Sequence, residues 1–339
     1  MHPIFGGYWL LSDPLRIAIV GFGQHAVRNI VRPLMKRSSR EISAILVRDT
    51  ARYSVAHPQF ADLFIDDFEL VLADRMIDVI YIATPIALHA EFALSALDAG
   101  KHVWSEKPLT QSAERTASLV AAAEKNDRML SEVDMYLHHR QFRQLRSLLA
   151  DKVSQGEAIN WMAASFSIPS LPAGNIRYDP LMGGGALLDL GFYPISTALE
   201  LFGEPLSIAA TGSISKEFGV DLSGSALLTY PGFGFHAFWA LGATYSSTIE
   251  LNLTRSRYLF ERAFAKPHDL ETEILTHLPS GMCDPIFVQS DDHFSIMFDH
   301  FENTLRGGDR IAWARMRAAA SLRAKTLQRI YDAIYSVNA

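Results

Sequence analysis

Short, nearly unbroken aliphatic runs alternate with longer amphipathic stretches through the first 136 residues. The run at 15–20 ends in Gly21-Phe22-Gly23, and a helical segment broken at Pro33 follows. Further strand-like runs cover 42–47, 78–83, 102–105 and 129–134. Between them lie an alanine- and leucine-rich helix at 87–99, closed by Gly100, and a second helix from about 111 to 125. Strands alternating with helices of this length predict βαβ units on a parallel sheet, an α/β domain over residues 15–136.

The texture changes after about residue 155. Runs at 226–230, 233–241 and 248–253 are β-rich and partly alternating, with Gly, Pro and Ser turns. That pattern predicts an α+β domain over 137–339, with an open, mostly antiparallel sheet packed on helices by one face. From Asp292 to about Tyr335 the chain returns to helix and is expected to fold back. Residues 1–14 read as an extension that packs locally or stays mobile.

At 339 residues, 49% hydrophobic and 20% charged, the chain is long enough for a large core and two domains. The net charge of −6 gives no broad positive field for nucleic acid or an anionic membrane. An anionic ligand must then be held by backbone amides and a few arginines. The lone Cys283 excludes an intramolecular disulfide and any CxxC motif, as suits a reducing cytoplasm. The apolar stretch at 4–11 lacks a basic leader and a cleavage site, and no run reaches the roughly 20 apolar residues of a membrane span. A soluble, cytoplasmic protein is expected.

Gly21-Phe22-Gly23-Gln24-His25-Ala26 is a GxGxxA pattern directly after the first strand. Its glycines permit a tight turn and let the backbone reach a pyrophosphate at a helix N-terminus, the signature of a Rossmann dinucleotide site. The second strand ends Leu46-Val47-Arg48-Asp49. Arg48 suits a 2′-phosphate and Asp49 suits a helix cap, which favours NADP over NAD; a solvated Arg48 is the bland alternative.

Glu106-Lys107-Pro108 closes the fifth strand, at the sheet edge where such folds bind ligands. Proline confines Lys107 to extended conformations, and from there the ammonium can hydrogen-bond a substrate oxygen and lower the pKa of a nearby phenol. Thr84, Pro85 and His89 follow the fourth strand, on the same edge, as cofactor-binding candidates; His89 either borders the nicotinamide or is a structural histidine at a helix start, the commoner case. Farther on, Gly183 to Pro194 places Asp189 and Tyr193 four residues apart, on one face of a helix. Gly191 between them would let a flat ligand approach the backbone. Tyr193 is either a proton donor or a core aromatic in an apolar helix. Asp189 either binds a substrate hydroxyl or holds Lys107. Arg177 and Tyr178 suit a substrate's diphosphate or sugar, or else an ion pair and a core contact. Neighbouring His138 and His139 do not share a helix face, so no metal is expected.

These motifs, in this order and spacing, resemble the Gfo/Idh/MocA oxidoreductases along nearly the whole chain. Phe166-Ser167-Ile168-Pro169, Asn175-Ile176-Arg177-Tyr178, the 183–194 segment and Glu261-Arg262-Ala263-Phe264 are similar to the NDP-sugar 3-ketoreductase branch. The resemblance implies NADPH-dependent reduction of a keto group on a nucleotide-linked sugar, with Lys107 orienting the ketone and Tyr193 giving the proton. It also implies a homodimer or homotetramer through the C-terminal sheet. Tyrosine at this position also occurs in relatives that oxidise free sugars or dihydrodiols, and an NADPH-binding sensor without turnover is a further alternative.

Overall fold

The computed structural model describes residues 13–337; the expected extension at 1–14 falls almost wholly outside them. The first half is a parallel sheet in the order β3-β2-β1-β4-β5-β6. Its strands are β1 (Leu15–Val20), β2 (Arg40–Leu46), β3 (Phe64–Ile65), β4 (Val79–Ile82), β5 (His102–Glu106) and β6 (Leu130–Val133). The order reverses between β1 and β4, so their carboxyl ends splay apart around a crevice, the place where doubly wound sheets bind ligands. The turns after β1, β4 and β5 all meet that crevice.

Pro33 does not end its helix. The chain runs through a widened π segment, Ala26–Ile30, into α1 (Val31–Met35), and Val31 N–H bonds back five residues to Ala26 O. Pro33 has no N–H for the carbonyl four residues before it, and its ring crowds that carbonyl. The turn N-terminal to it opens instead. The same device recurs at the segment holding Asp189. There a π segment, Leu187–Gly191, leads into a helix beginning at Phe192, and Pro194 again stands three residues beyond the widened turn.

Three further helices of the first domain are α2 (Thr50–Ala56), α4 (Ile86–Asp98) and α5 (Ala113–Lys125), with the short α3 (Phe68–Ala73) between α2 and α4. After α6 (Arg140–Ser154) comes an eight-stranded sheet that includes β9 (Asp221–Tyr230), β12 (Arg257–Glu261), β13 (Thr272–Leu278) and β14 (Gly281–Val288), in the order β14-β13-β12-β11-β7-β10-β9-β8. It is antiparallel except for the pairing of β7 (Ile159–Ile168) with β10 (Phe233–Leu241). Burial alternates along β8 (Ser207–Ile214) and β11 (Ser246–Leu253), so one face is packed and the other open. The helix α7 (Phe192–Phe202) lies on the packed face.

The last two helices, α8 (His293–Arg306) and α9 (Arg310–Val337), return to the first domain. Helix α9 packs on α5 and β6 as well as on α7 and β8. It carries Arg323, buried and paired with Glu132 and Asp134 of the first domain at 2.7 Å each. A single apolar core therefore runs from Leu15 and Ile17 through Tyr193 and Trp239 to Ile334. Among the described residues, no helix is long and apolar enough to cross a membrane.

Candidate active site

Gly21 has φ +90, and a Cβ there would lie 3.0 Å from the backbone of Ala83, so β4 itself demands glycine. A Cβ on Gly23 would meet nothing within 4 Å. The turn is thus tight on its β4 side and open on the other, the shape needed for a pyrophosphate to reach backbone amides. Gln24 and His25 are exposed beside it and Ala26 is buried against the sheet. A cavity of about 380 Å³ adjoins the turn, walled by Gly23, Gln24, Arg28, Arg52, Tyr53 and His57. Arg48 is exposed and is not one of its walls, while Asp49 caps α2 by accepting from Arg52 N. Arg28 and Arg52 were not picked out from the sequence.

His25 Nε2 lies 2.9 Å from Glu106 Oε1, which also accepts the Tyr81 hydroxyl at 2.5 Å. Burial pushes the Glu106 carboxyl up, but His25, Tyr81 and the Lys107 charge outweigh it and hold the carboxyl below its usual range. Burial likewise lowers His25, and Glu106 more than reverses this. The ring of His25, expected among the cofactor contacts, is thus committed to an ion pair that joins the glycine turn to the end of β5.

Of the two readings open to His89, the surroundings are those of a structural histidine. It is 1% exposed, with Nδ1 3.0 Å from Pro108 O and Nε2 2.9 Å from Thr84 O. The imidazole sits between the Thr84–Pro85 turn and the Lys107–Pro108 turn from beneath, each ring nitrogen facing a carbonyl oxygen, so that the neutral ring donates to one of the two. Burial lowers its pKa. The Lys107–Pro108 peptide bond is cis.

Lys107 Nζ donates to Asp189 Oδ1 at 3.0 Å and to Asp189 O at 2.8 Å. It lies 4.7 Å from the centre of the Tyr193 ring and 5.8 Å from that of Phe192. Arg177 grips the other carboxylate oxygen of Asp189. Burial opposes ionisation of Asp189, yet the two cations overcome it and hold the carboxyl far below its usual range. Of the two roles open to Asp189, the structure shows it holding Lys107; of those open to Arg177, it shows the ion pair. Tyr178 donates no bond to a site residue: its hydroxyl accepts Leu171 N at 3.0 Å and its ring stacks on Phe218 at 4.5 Å.

Tyr193 is 6% exposed, enclosed by Tyr136, Phe166 and Phe264 with ring centres 5.0–5.5 Å away, and its hydroxyl lies 3.9 Å from Met135 Sδ. Burial, reinforced by the charges of Asp189, Glu106 and Asp134, raises the phenol well above its ordinary pKa. The expected lowering by Lys107 is therefore outweighed. Gly191 faces no ligand either. A Cβ there would come within 2.9 Å of the Trp239 indole, so glycine is required for that ring to pack under the π segment.

Two family profiles match the chain. The oxidoreductase family with the NAD-binding Rossmann fold covers residues 15–134, and the Gfo/Idh/MocA C-terminal domain covers 142–259. A dTDP-3,4-didehydro-2,6-dideoxy-alpha-D-glucose 3-reductase of Saccharopolyspora spinosa is 33% identical over 302 residues, 88% of this chain and 90% of that one. The chain belongs to the Gfo/Idh/MocA oxidoreductase family. Among solved structures, the 3-ketoreductase KijD10 of Actinomadura kijaniata, in complex with NADP and TDP-benzene, is similar with a TM-score of 0.87. The two are 28% identical, over 96% of this chain and 98% of that one. Aldose-aldose oxidoreductase of Caulobacter crescentus shares the fold at a TM-score of 0.81 and 21% identity, over 96% of this chain and 98% of that one.

Within this Gfo/Idh/MocA chain, several residues that shape the site carried no sequence signal of their own. Asp221 Oδ2 accepts Leu187 N at 2.8 Å and Trp239 Nε1 at 3.2 Å, which anchors the start of the π segment bearing Asp189. Met135 and Tyr136 follow β6 and border the phenol. No spacing rule links positions 135, 189 and 221; only tertiary packing brings them together.

Proposed function

We propose that this oxidoreductase uses NADPH to reduce a keto group of a nucleotide-linked sugar, with Tyr193 as proton donor and Lys107 and Asp189 completing the catalytic group. The observation that carries the reading is the ammonium of Lys107, pinned by Asp189 over the Tyr193 ring at the carboxyl end of β5. Through Glu106 and His25 the same strand end is joined to the glycine turn.

NADPH, when bound, supplies a hydride to the carbonyl carbon. The backbone at Gly21, Gly23, Gln24, His25 and Ala26 would hold its pyrophosphate, Thr84, Pro85, Glu106 and Lys107 would border the nicotinamide end, and His89 would support that border from below. Arg48, with Arg28 and Arg52, would take the 2′-phosphate. The KijD10 complexes with NADP and the reductases named above support this choice of cofactor and substrate class.

Negative charge grows on the carbonyl oxygen during reduction, and a donor already in place is worth a few kcal/mol there. Lys107 supplies one such donor. The raised phenol of Tyr193 stays protonated at neutral pH, so the acid form is the resident form. Once the proton has passed to the oxygen, the phenolate is left beside an ammonium, which offsets its burial. KijD10 has been solved with a tyrosine replaced by phenylalanine and with a lysine replaced by alanine, the same two residue types.

The open face of the C-terminal sheet supports assembly into a homodimer or homotetramer: Phe238 and Leu227 stand exposed on β10 and β9 (Asp221–Tyr230). The free Cys283 fits a cytoplasmic location. The test is NADPH consumption with a dTDP-linked 3-keto sugar, compared with NADP reduction by free aldoses and by a trans-dihydrodiol. Turnover of the nucleotide-linked ketone alone supports the proposal. Turnover of the free sugar or the diol alone overturns it, as does NADPH binding without any turnover.

A further inference from the structure

With Arg177 engaged by Asp189, the cation for which a substrate diphosphate and an ion pair were equal readings is already neutralised. Another guanidinium, linked to Tyr193 through two buried phenylalanine rings, has no such partner among the described residues. Arg262 follows β12 (Arg257–Glu261), is exposed, and makes no ion pair among the described residues. Its guanidinium carbon lies 4.5 Å from the centre of the Tyr245 ring. Its backbone has φ +51, a conformation that side chains other than glycine adopt at a cost.

The turn holding it reaches the phenol directly. Ala263 N bonds to Ser247 O at 2.9 Å and Phe264 N to Ser247 Oγ at 3.1 Å, which clamps the turn on β11. Phe264 is fully buried with its ring 5.4 Å from that of Tyr193. Tyr245 reaches the same place from the other side, through Phe166, at 6.5 Å and then 5.0 Å between ring centres. Two buried phenylalanines therefore separate Tyr193 from an exposed tyrosine–arginine stack.

We propose that Arg262, stacked on Tyr245, is a specificity-determining residue that binds the diphosphate of a nucleoside diphosphate-linked substrate. This rests on the nucleotide-sugar reading above and adds the residue that tells such a substrate from a free sugar. A guanidinium held over an aromatic face by a cation–π contact spends none of its N–H groups on that contact, which leaves them for phosphate oxygens. Its rotamers are already restricted, so less freedom is lost on binding. The strained φ persists at a position where glycine would relieve it, as expected where the side chain is needed.

The experiment is calorimetric titration of the protein–NADPH complex with dTDP, for the wild type and for Arg262→Ala, Arg262→Lys and Arg262→Gly. The inference predicts that Arg262→Ala weakens dTDP by about 30-fold or more, Arg262→Lys by less, and NADPH by under about 3-fold. Arg262→Gly should lose dTDP affinity while its melting midpoint rises by about 2 °C or more. Equal dTDP affinity in wild type and Arg262→Ala overturns the assignment and leaves the nucleotide-sugar reading standing. Failure of the wild type to bind dTDP overturns that reading itself.

Discussion

Lys107 and Asp189 stand 82 positions apart and are joined twice, through a carboxylate oxygen at 3.0 Å and a backbone carbonyl at 2.8 Å. The carbonyl is available because Asp189 lies in a π segment, where the regular helical ladder is interrupted. Asp189 thereby sets where the ammonium sits and how much net charge surrounds the phenol.

Asp189→Asn should lower kcat by about 10–100-fold with little change in NADPH affinity, because it acts by releasing Lys107 and Arg177. It also removes a negative charge that raises the Tyr193 phenol. The alkaline limb of the kcat–pH profile should then move to lower pH. An unmoved limb would show that the carboxylate does not act on the phenol.

Tyr193→Phe removes the proposed acid while keeping the ring contacts with Phe166, Phe264 and Tyr136. A fall in kcat of about 100- to 1,000-fold is expected, with NADPH binding retained. Single-turnover kinetics with the keto sugar measure it; a loss below about threefold would assign the proton to another group.

Cofactor choice is read from the ratio of kcat/KM with NADPH to that with NADH. Arg28→Ala and Arg52→Ala should each lower the ratio by about tenfold or more, as a lost charged contact to a phosphate implies. Arg48→Ala tests the residue first suggested by the sequence. An unchanged ratio there, with losses at positions 28 and 52, would assign the 2′-phosphate to the cavity.

Breaking the buried triad should show in stability. Arg323→Met strands the Glu132 and Asp134 carboxylates in the core, at a cost of about 3–5 kcal/mol. Urea denaturation gives the value; a loss under about 1 kcal/mol would mean that the carboxylates find water or other donors.

Acid should destabilise the fold below neutral pH. Burial pushes the imidazoles of His102, His138 and His139 down to about 3 and that of His293 to about 4. Their unfolded values lie near 6.5, so the stability they contribute is present above that pH and is lost as pH falls toward 3–4. Asp78 and Asp221, raised by burial to about 6, act oppositely: their contribution is present below about 4 and is lost as pH rises through 6. Asp134, raised by burial to about 8, acts in the same direction, so between pH 6 and 4 the four imidazoles outnumber three carboxyls and the melting midpoint should drop on acidification. His139→Gln should flatten that slope, and a midpoint rising from pH 6 to pH 4 would contradict the balance.

The first domain was legible because its strands are local apolar runs and its turns carry glycine and proline at fixed positions. Short strand-like runs before Gly21, Thr84 and Glu106, mostly aliphatic in the first two, named β1, β4 and β5 almost to the residue. The C-terminal sheet was only partly readable. β7, β8 and β12, with β13 (Thr272–Leu278) and β14 (Gly281–Val288), went unnoticed among polar and alternating positions, since each borrows its stability from a distant neighbour. Lys107, Asp189 and Tyr193 could be named one by one from motif and spacing. Their roles could not, because a role depends on a partner.

By itself the sequence determined the kind of molecule: a glycine turn on a parallel sheet, a lysine at a strand end, a carboxylate and a phenol on one helix face. These are consequences of backbone sterics and side-chain periodicity within a few residues. The tertiary structure decided which charges meet. Folding within each domain gave Arg177 to Asp189, His25 to Glu106 and His89 a place between two backbone carbonyls, and docking of the two gave Lys107 to Asp189 and closed rings around the phenol. Electrostatic pairing and desolvation depend on distance in space, and that distance is set by packing across the whole core.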